Sequence, residues 1–254
     1  MQTEQISPRY VELDSWSAAE MIAAMYEGQL AAAAAVRGAL DAIATAVEDA
    51  VPALQRGGRI VYAGAGTSGR IGVQAMADAK IGANDVVIGV AASGTTPFTI
   101  GALRASSAAG AVTIAVANNP GAPLFEVARH RILADTGSEV IAGSTRMKAG
   151  TAQKIVLNLF STAVMVKMGR VYRGLMVDMR ARNAKLRRRA EAMVSEIVRC
   201  PEADAARYLE QADGDVKTAV LLGLGLGRSE AAQLLQRHGG NLRSAINAST
   251  RDNG

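Results

Sequence analysis

Three short segments of this sequence carry glycines and hydroxyl side chains in a pattern that suits an anion. Gly64, Gly66, Thr67, Ser68 and Gly69 follow the apolar run 59–63. Ser93, Gly94, Thr95 and Thr96 follow the run 85–91, and Gly143, Ser144, Thr145, Arg146 and Lys148 come after the run 131–134. Glycine lets a backbone approach a ligand closely, a hydroxyl donates a hydrogen bond, and a helix N-terminus supplies free N–H groups and positive dipole. One such loop is a weak signal, because Ser and Thr are also ordinary helix caps and turn residues. Three of them, each behind a strand-like run, point to a small phosphorylated ligand held by Gly66, Thr67, Ser68, Ser93, Thr95, Thr96, Ser144, Thr145 and Lys148. The first loop lacks the Gly-Lys-Ser/Thr ending of a nucleotide P-loop, and no acidic residue closes the second run as a ribose clamp, so neither ATP nor NAD is expected.

The elements that must position these loops follow from the texture of the chain. Residues 59–63, 85–91, 111–116 and 131–134 are β-branched, apolar runs alternating with helical windows. This alternation predicts an α/β fold with a parallel sheet of about four strands wrapped by helices. Ligands of such sheets bind beyond the carboxyl ends of the strands, where the three loops lie. Residues 1–56 read as an N-terminal helical arm, with Ser17 and Glu20 spaced as a capping box. From Cys200 and Pro201 onward, three short helical windows and a fourth opening at His238 predict a small helical subdomain. The expected division is therefore 1–56, 57–198 and 199–254.

Composition narrows the chemistry. The 254 residues are 49% hydrophobic and 20% charged, close to a globular average, and only 4% aromatic, which leaves little for stacking bases. Cys200 is the one cysteine, and His130 and His238 are the two histidines, so neither a disulfide nor a transition-metal site is expected. His130 reads as a surface cap. Between 167 and 189 nine basic residues face one acid, Asp178, and such a run is more often a solvated helical face than a nucleic-acid reader. No charged n-region precedes an apolar run at the N-terminus, and the longest apolar stretch, 155–166, falls short of the ~20 residues of a membrane span. The cytoplasm is the expected compartment, with no membrane or nucleic acid as partner.

The loops at 64–71 and 91–97, together with EVIAGSTRMKAGTAQK at 139–154, resemble the sugar isomerase (SIS) fold and, more narrowly, the bacterial N-acetylmuramic acid 6-phosphate etherases. Thr3 and Glu4, LDSW at 13–16, Asn158, YRGLMVD at 172–178 and GGNLR at 239–243 extend the resemblance over nearly the whole chain. It implies a carbon–oxygen lyase that splits the D-lactyl ether of its sugar phosphate, giving N-acetylglucosamine 6-phosphate and D-lactate in cell-wall recycling. The resemblance implies an elimination followed by hydration, for which the family uses two carboxyl groups of opposite protonation and no metal or organic cofactor. The resemblance also implies a homodimer, for which the Ala-rich arm offers a surface.

The resemblance breaks after Gln74. Several dozen residues of the family pattern are absent before Asn84, and the glutamates that the family uses as acid and base belong to that stretch. Counted without a gap, Asp78 takes the place of the first, and the second has no counterpart. Glu139, beside the third hydroxyl loop, is the other catalytic candidate, although capping the following helix would explain it as well. A non-catalytic sugar-phosphate sensor is the alternative function. The shortened connection also forces a choice: the helix near 71–80 changes sheet face, or the sheet rearranges locally.

Overall fold

The computed structural model describes residues 1–64, 69–179 and 183–252, and the side chains of 69–72, 251 and 252 are outside that description. By its contacts the chain divides into two compact units, Met1–Val164 and Met165–Gly254. The boundaries expected at 56 and 198 remain a division by sequence texture.

The first unit is built on four parallel strands, β1 (Ile60–Ala63), β2 (Val86–Val90), β3 (Val112–Ala117) and β4 (His130–Leu133), hydrogen-bonded in the order β1-β2-β3-β4. β3 is buried along its whole length, as a central strand of a parallel sheet must be. α3 (Gly69–Asp78) joins β1 to β2, and α4 (Pro97–Ala108) joins β2 to β3. The two helices pack on one another, over a core that includes Ala63, Met76, Val87, Ala102, Leu103 and Ala115. Two crossovers that step the same way across a sheet with helices on one face share one hand, so the shortened connection is accommodated with α3 beside α4.

α2 (Leu40–Gln55) lies against β2, β3 and β4, burying Ile43, Ala46, Val47, Ala50, Ala53 and Leu54. Before it, α1 (Ala18–Ala35) opens on the expected capping box: the backbone N–H of Ser17 donates to Glu20 at 2.8 Å and the Glu20 N–H donates to the Ser17 hydroxyl. α1 buries only Ala24, Gly28 and Ala32, and leaves Ile22, Tyr26 and Leu30 exposed at four-residue spacing. Together α1, a 3-10 turn at Val36–Ala39 and α2 form a helical run, Ala18–Gln55, which is long and apolar enough by length and composition to cross a membrane. That corrects the expectation that 155–166 is the longest such stretch. The apolar residues of α2 are accounted for by the sheet they cover.

α5 (Lys148–Lys167) leads out of the first unit. In the second unit, a two-stranded hairpin of β5 (Val171–Tyr172) and β6 (Leu175–Met176) precedes α6 (Ala184–Val198), α7 (Glu202–Gln211), α8 (Val216–Gly223), α9 (Arg228–Arg237) and α10 (Leu242–Asp252). α6, α7 and α8 share one apolar core around Val194, Leu209 and Val220.

Candidate functional site

The carboxyl end of β2 runs into the loop that carries Ser93, Thr95 and Thr96. Gly94 turns this loop at φ +68°, a conformation that favours glycine, and a Cβ there would lie 2.3 Å from that of Ala122. Ser93 Oγ accepts from the Thr95 backbone N–H at 3.3 Å and from the Thr95 hydroxyl at 3.0 Å. Its own proton is left to donate outward. α4 begins on Thr96 and Pro97, and the next two N–H groups, of Phe98 and Thr99, find no hydrogen-bond partner among the described residues. Unused helix N–H groups beside hydroxyls form an anion-binding arrangement.

The third loop is built differently. Glu139 is fully buried (0% exposed) and spends both oxygens on the start of α5, accepting from the Lys148 N–H and the Ala149 N–H at 2.9 Å each. Gly150 N–H is taken by the Thr145 carbonyl at 2.8 Å. The first turn of α5 is therefore filled by an internal anion, and Glu139 acts as its cap. Lys148 turns back as well: its ammonium donates to the Ser138 carbonyl at 2.8 Å, while its stem packs beside Gly28 of α1. Ser144 and Thr145 are half-buried in the same loop.

Asp78 is placed elsewhere. α3 runs antiparallel to the strands, so its last residue lies at the foot of the sheet, where β1 and β2 begin. Asp78 is exposed there and accepts from Gln74 Nε2 at 2.7 Å. Next to it, the Ala79 and Lys80 carbonyls accept from the guanidinium of Arg59, the residue before β1. Asp78, the first catalytic candidate, therefore lies away from the three loops, as an exposed helix acid two residues from Lys80. His130 is corrected: it is buried at the start of β4, with Nε2 2.9 Å from Asp49 Oδ2, and is no surface cap. Gly66, Thr67 and Ser68 lie outside the described residues.

Two features escaped sequence reasoning. Asn118 and Asn119 follow β3 directly, and both side chains are buried among the loop ends. Asn118 donates to the Ala134 carbonyl and accepts from Gln153 of α5 at 2.8 Å. Asn119 Nδ2 donates both to the Ala92 carbonyl and to the Thr3 hydroxyl at 2.9 Å, and its oxygen accepts from the Thr3 N–H at 3.2 Å. The Thr3 carbonyl in turn accepts from the Gly143 N–H at 3.0 Å. The N-terminal turn Gln2–Glu4, read as part of a helical arm, is in fact stitched between the second and third hydroxyl loops. Two adjacent asparagines at the end of a buried strand were the available signal. Thr136, 6% exposed after β4, keeps a buried hydroxyl without a partner among the described residues.

Among the described residues no three or more His, Cys, Asp or Glu side chains gather as a metal site would require. A family model described as "SIS domain" matches residues 74–163. A Deinococcus radiodurans protein named N-acetylmuramic acid 6-phosphate etherase is 45% identical over 289 positions, covering 96% of this chain and 94% of the relative. A protein of the same name from Actinobacillus succinogenes is 39% identical over 290 positions, covering 97% and 95%. The chain belongs to the N-acetylmuramic acid 6-phosphate etherase family.

Within this etherase the signature stretches of the second unit do structural work on one another. Lys217 of α8 is buried and reaches both Asp178 and the Gly240 carbonyl at 2.8 Å. Arg243 stacks on Tyr172 with 5.0 Å to the ring centroid, and Gly169, at φ +71°, admits Asn241 where a Cβ would sit 2.9 Å from its Cα. The basic run is partly neutralised, Arg170 by Asp178 at 3.4 Å and Arg187 by Glu191 at 3.3 Å.

Proposed function

We propose that this chain cleaves the D-lactyl ether of N-acetylmuramic acid 6-phosphate to N-acetylglucosamine 6-phosphate and D-lactate, by elimination and hydration. The observation that carries the reading is near-complete coverage at 45% identity to a relative of that name. In this reading the 6-phosphate rests on the Phe98 and Thr99 N–H groups, the hydroxyls of Ser93 and Thr96, and the positive end of α4, with the Thr95 hydroxyl orienting that of Ser93. Ser144 and Thr145 face the remainder of the sugar, and Gly66, Thr67 and Ser68 complete the cradle on the strength of their sequence pattern. Glu139 and Lys148 hold the third loop in place.

The matched stretch of the Deinococcus relative, 289 positions, is longer than the whole 254-residue chain. The difference fits a shortened segment in this chain; its place after Gln74, and the loss of the acid and base glutamates with it, rest on the resemblance. We further place the enzyme in the cytoplasm as a homodimer, the exposed stripe of Ile22, Tyr26 and Leu30 on α1 being the surface that favours a second copy. Sedimentation of wild type against an Ile22→Glu, Tyr26→Glu double variant tests the dimer.

The test of function is release of D-lactate by the purified full chain from N-acetylmuramic acid 6-phosphate, with the unphosphorylated sugar alongside. Release from the 6-phosphate alone is expected. No release from either overturns the reading.

A further inference from the structure

We infer that Glu4 is the general base of this reaction, an inference that rests on the etherase reading. Elimination requires a carboxylate beside the bound sugar, so each acid at the carboxyl end of the sheet has to be accounted for. Glu139 is spent on α5, with both oxygens hydrogen-bonded and no exposure. Asp135, just beyond β4, has one oxygen engaged by the Gly137 N–H at 3.1 Å, inside its own turn. Glu4 is exposed, its backbone N–H donates to the Met1 carbonyl at 3.3 Å, and its carboxylate makes no hydrogen bond or ion pair among the described residues.

The position of Glu4 is fixed by its neighbour rather than by its own side chain. Thr3 is fully buried and held by three hydrogen bonds: its N–H and hydroxyl to Asn119, and its carbonyl to Gly143. Asn119 is tied in turn to Ala92, one residue before Ser93. The carboxylate of Glu4 therefore lies against Gly143 of the third loop, on a backbone that Thr3 and Asn119 tie to the end of β2. Gly143, at φ +74°, makes room for it, since a Cβ there would come within 2.8 Å of Glu4 Oε2. A side chain with no partner among the described residues, mounted on a backbone this tightly anchored, has the preorganisation that proton transfer demands.

In the open-chain sugar the carbonyl acidifies the proton on carbon 2. Glu4 takes that proton, the C2–H electron pair becomes the C2–C3 double bond, and the C3–O bond to the lactyl group breaks. The lactyl oxygen takes a proton from water and leaves as D-lactate, with hydroxide left behind. Hydroxide then adds to carbon 3 as Glu4 returns its proton to carbon 2, so one water is consumed and the carboxylate is regenerated.

The experiment compares wild type with Glu4→Gln, Glu4→Asp and Asp135→Asn, following D-lactate release across pH, C2 proton exchange in heavy water, and thermal stabilisation by N-acetylglucosamine 6-phosphate. For Glu4→Gln, kcat is expected to fall about 100-fold or more, with loss of the acid limb of the pH profile and of C2 exchange. KM and thermal stabilisation by the sugar phosphate are expected to stay as in wild type, which shows a folded, binding-competent protein. Glu4→Asp retains part of the rate, and Asp135→Asn keeps it. Glu4→Gln with wild-type turnover, or loss of turnover in Asp135→Asn instead, overturns the assignment while leaving the etherase reading intact. A wild type that neither releases D-lactate nor exchanges the C2 proton overturns both.

Discussion

The two ends of the one sheet are built on opposite principles. At the foot, charges are matched. Asp85 is 6% exposed and accepts from the Arg59 N–H at 2.9 Å, from the Arg59 guanidinium at 2.7 and 3.1 Å, and from the Gly82 N–H at 3.1 Å. The hydrogen bond from the Arg59 side chain is the main reason its carboxyl is held down to about 2. Asp49 likewise lies 2.9 Å from both Arg129 and His130. At the carboxyl end, polar groups are left over among the described residues: the N–H groups of Phe98 and Thr99, the hydroxyl of Thr136, and the carboxylate of Glu4. A matched charge network stabilises the fold and has nothing to offer a ligand, whereas donors and acceptors left unmatched are what a ligand completes. The contrast separates structure from chemistry on the same four strands.

Glu139 is the case that could break this contrast, because it sits at the ligand end and is bonded like a residue of the foot. Glu139→Ala is expected to cost about 3 kcal/mol, since it leaves two buried N–H groups of α5 unpaired. Urea unfolding measures this. A stable Glu139→Ala protein without activity would return Glu139 to the proton chemistry and remove it from the frame.

Asp85→Asn probes the foot directly, with an expected loss of about 2 kcal/mol and no change in KM or kcat once folded. The sign of the pH dependence follows from the depressed carboxyl. The contribution of Asp85 is fully present above its ordinary 3.8 and is lost as pH falls through about 2. Thermal melts from pH 5 to pH 2 should therefore converge between wild type and Asp85→Asn at the acid end. Melts that stay parallel would mean that the Arg59 pair contributes nothing.

Ser93→Ala sharpens the other side. It removes one outward hydroxyl from the proposed phosphate loop, so KM is expected to rise about tenfold, the equivalent of ~1.4 kcal/mol, while the melting temperature barely moves. The smallest effect is expected for Asp78→Asn, an exposed acid at the foot: stability within about 0.5 kcal/mol of wild type and an unchanged rate. A large fall in D-lactate release there would contradict its placement at the end of α3.

Much of the fold was legible because its causes are local. Each strand run appears within about two residues of where it was read, since a continuous β-branched run between turn residues can satisfy itself only in a buried strand. The capping box of α1 is contained in four residues. The Ser93 loop needed only that a strand precede it and a helix follow it. Asp78 became a catalytic candidate by a count along the chain, and such a count ignores direction: a helix returning from the top of a sheet ends at the bottom. Glu139 was undecided between two roles because only the path of residues 140–147 determines where its oxygens point.

By itself, then, the sequence determined the alternation that makes a parallel sheet, the three hydroxyl loops and the family, all of which depend on residue types and short spacings. The tertiary structure decided which of those residues meet. Thr3 and Asn119 are 116 positions apart and join through a side chain and backbone whose partners no local pattern specifies. Local propensity fixes an element, but the hydrogen bonds that remain at its ends are assigned only when distant ends are brought together, and in this chain those ends carry the proposed chemistry.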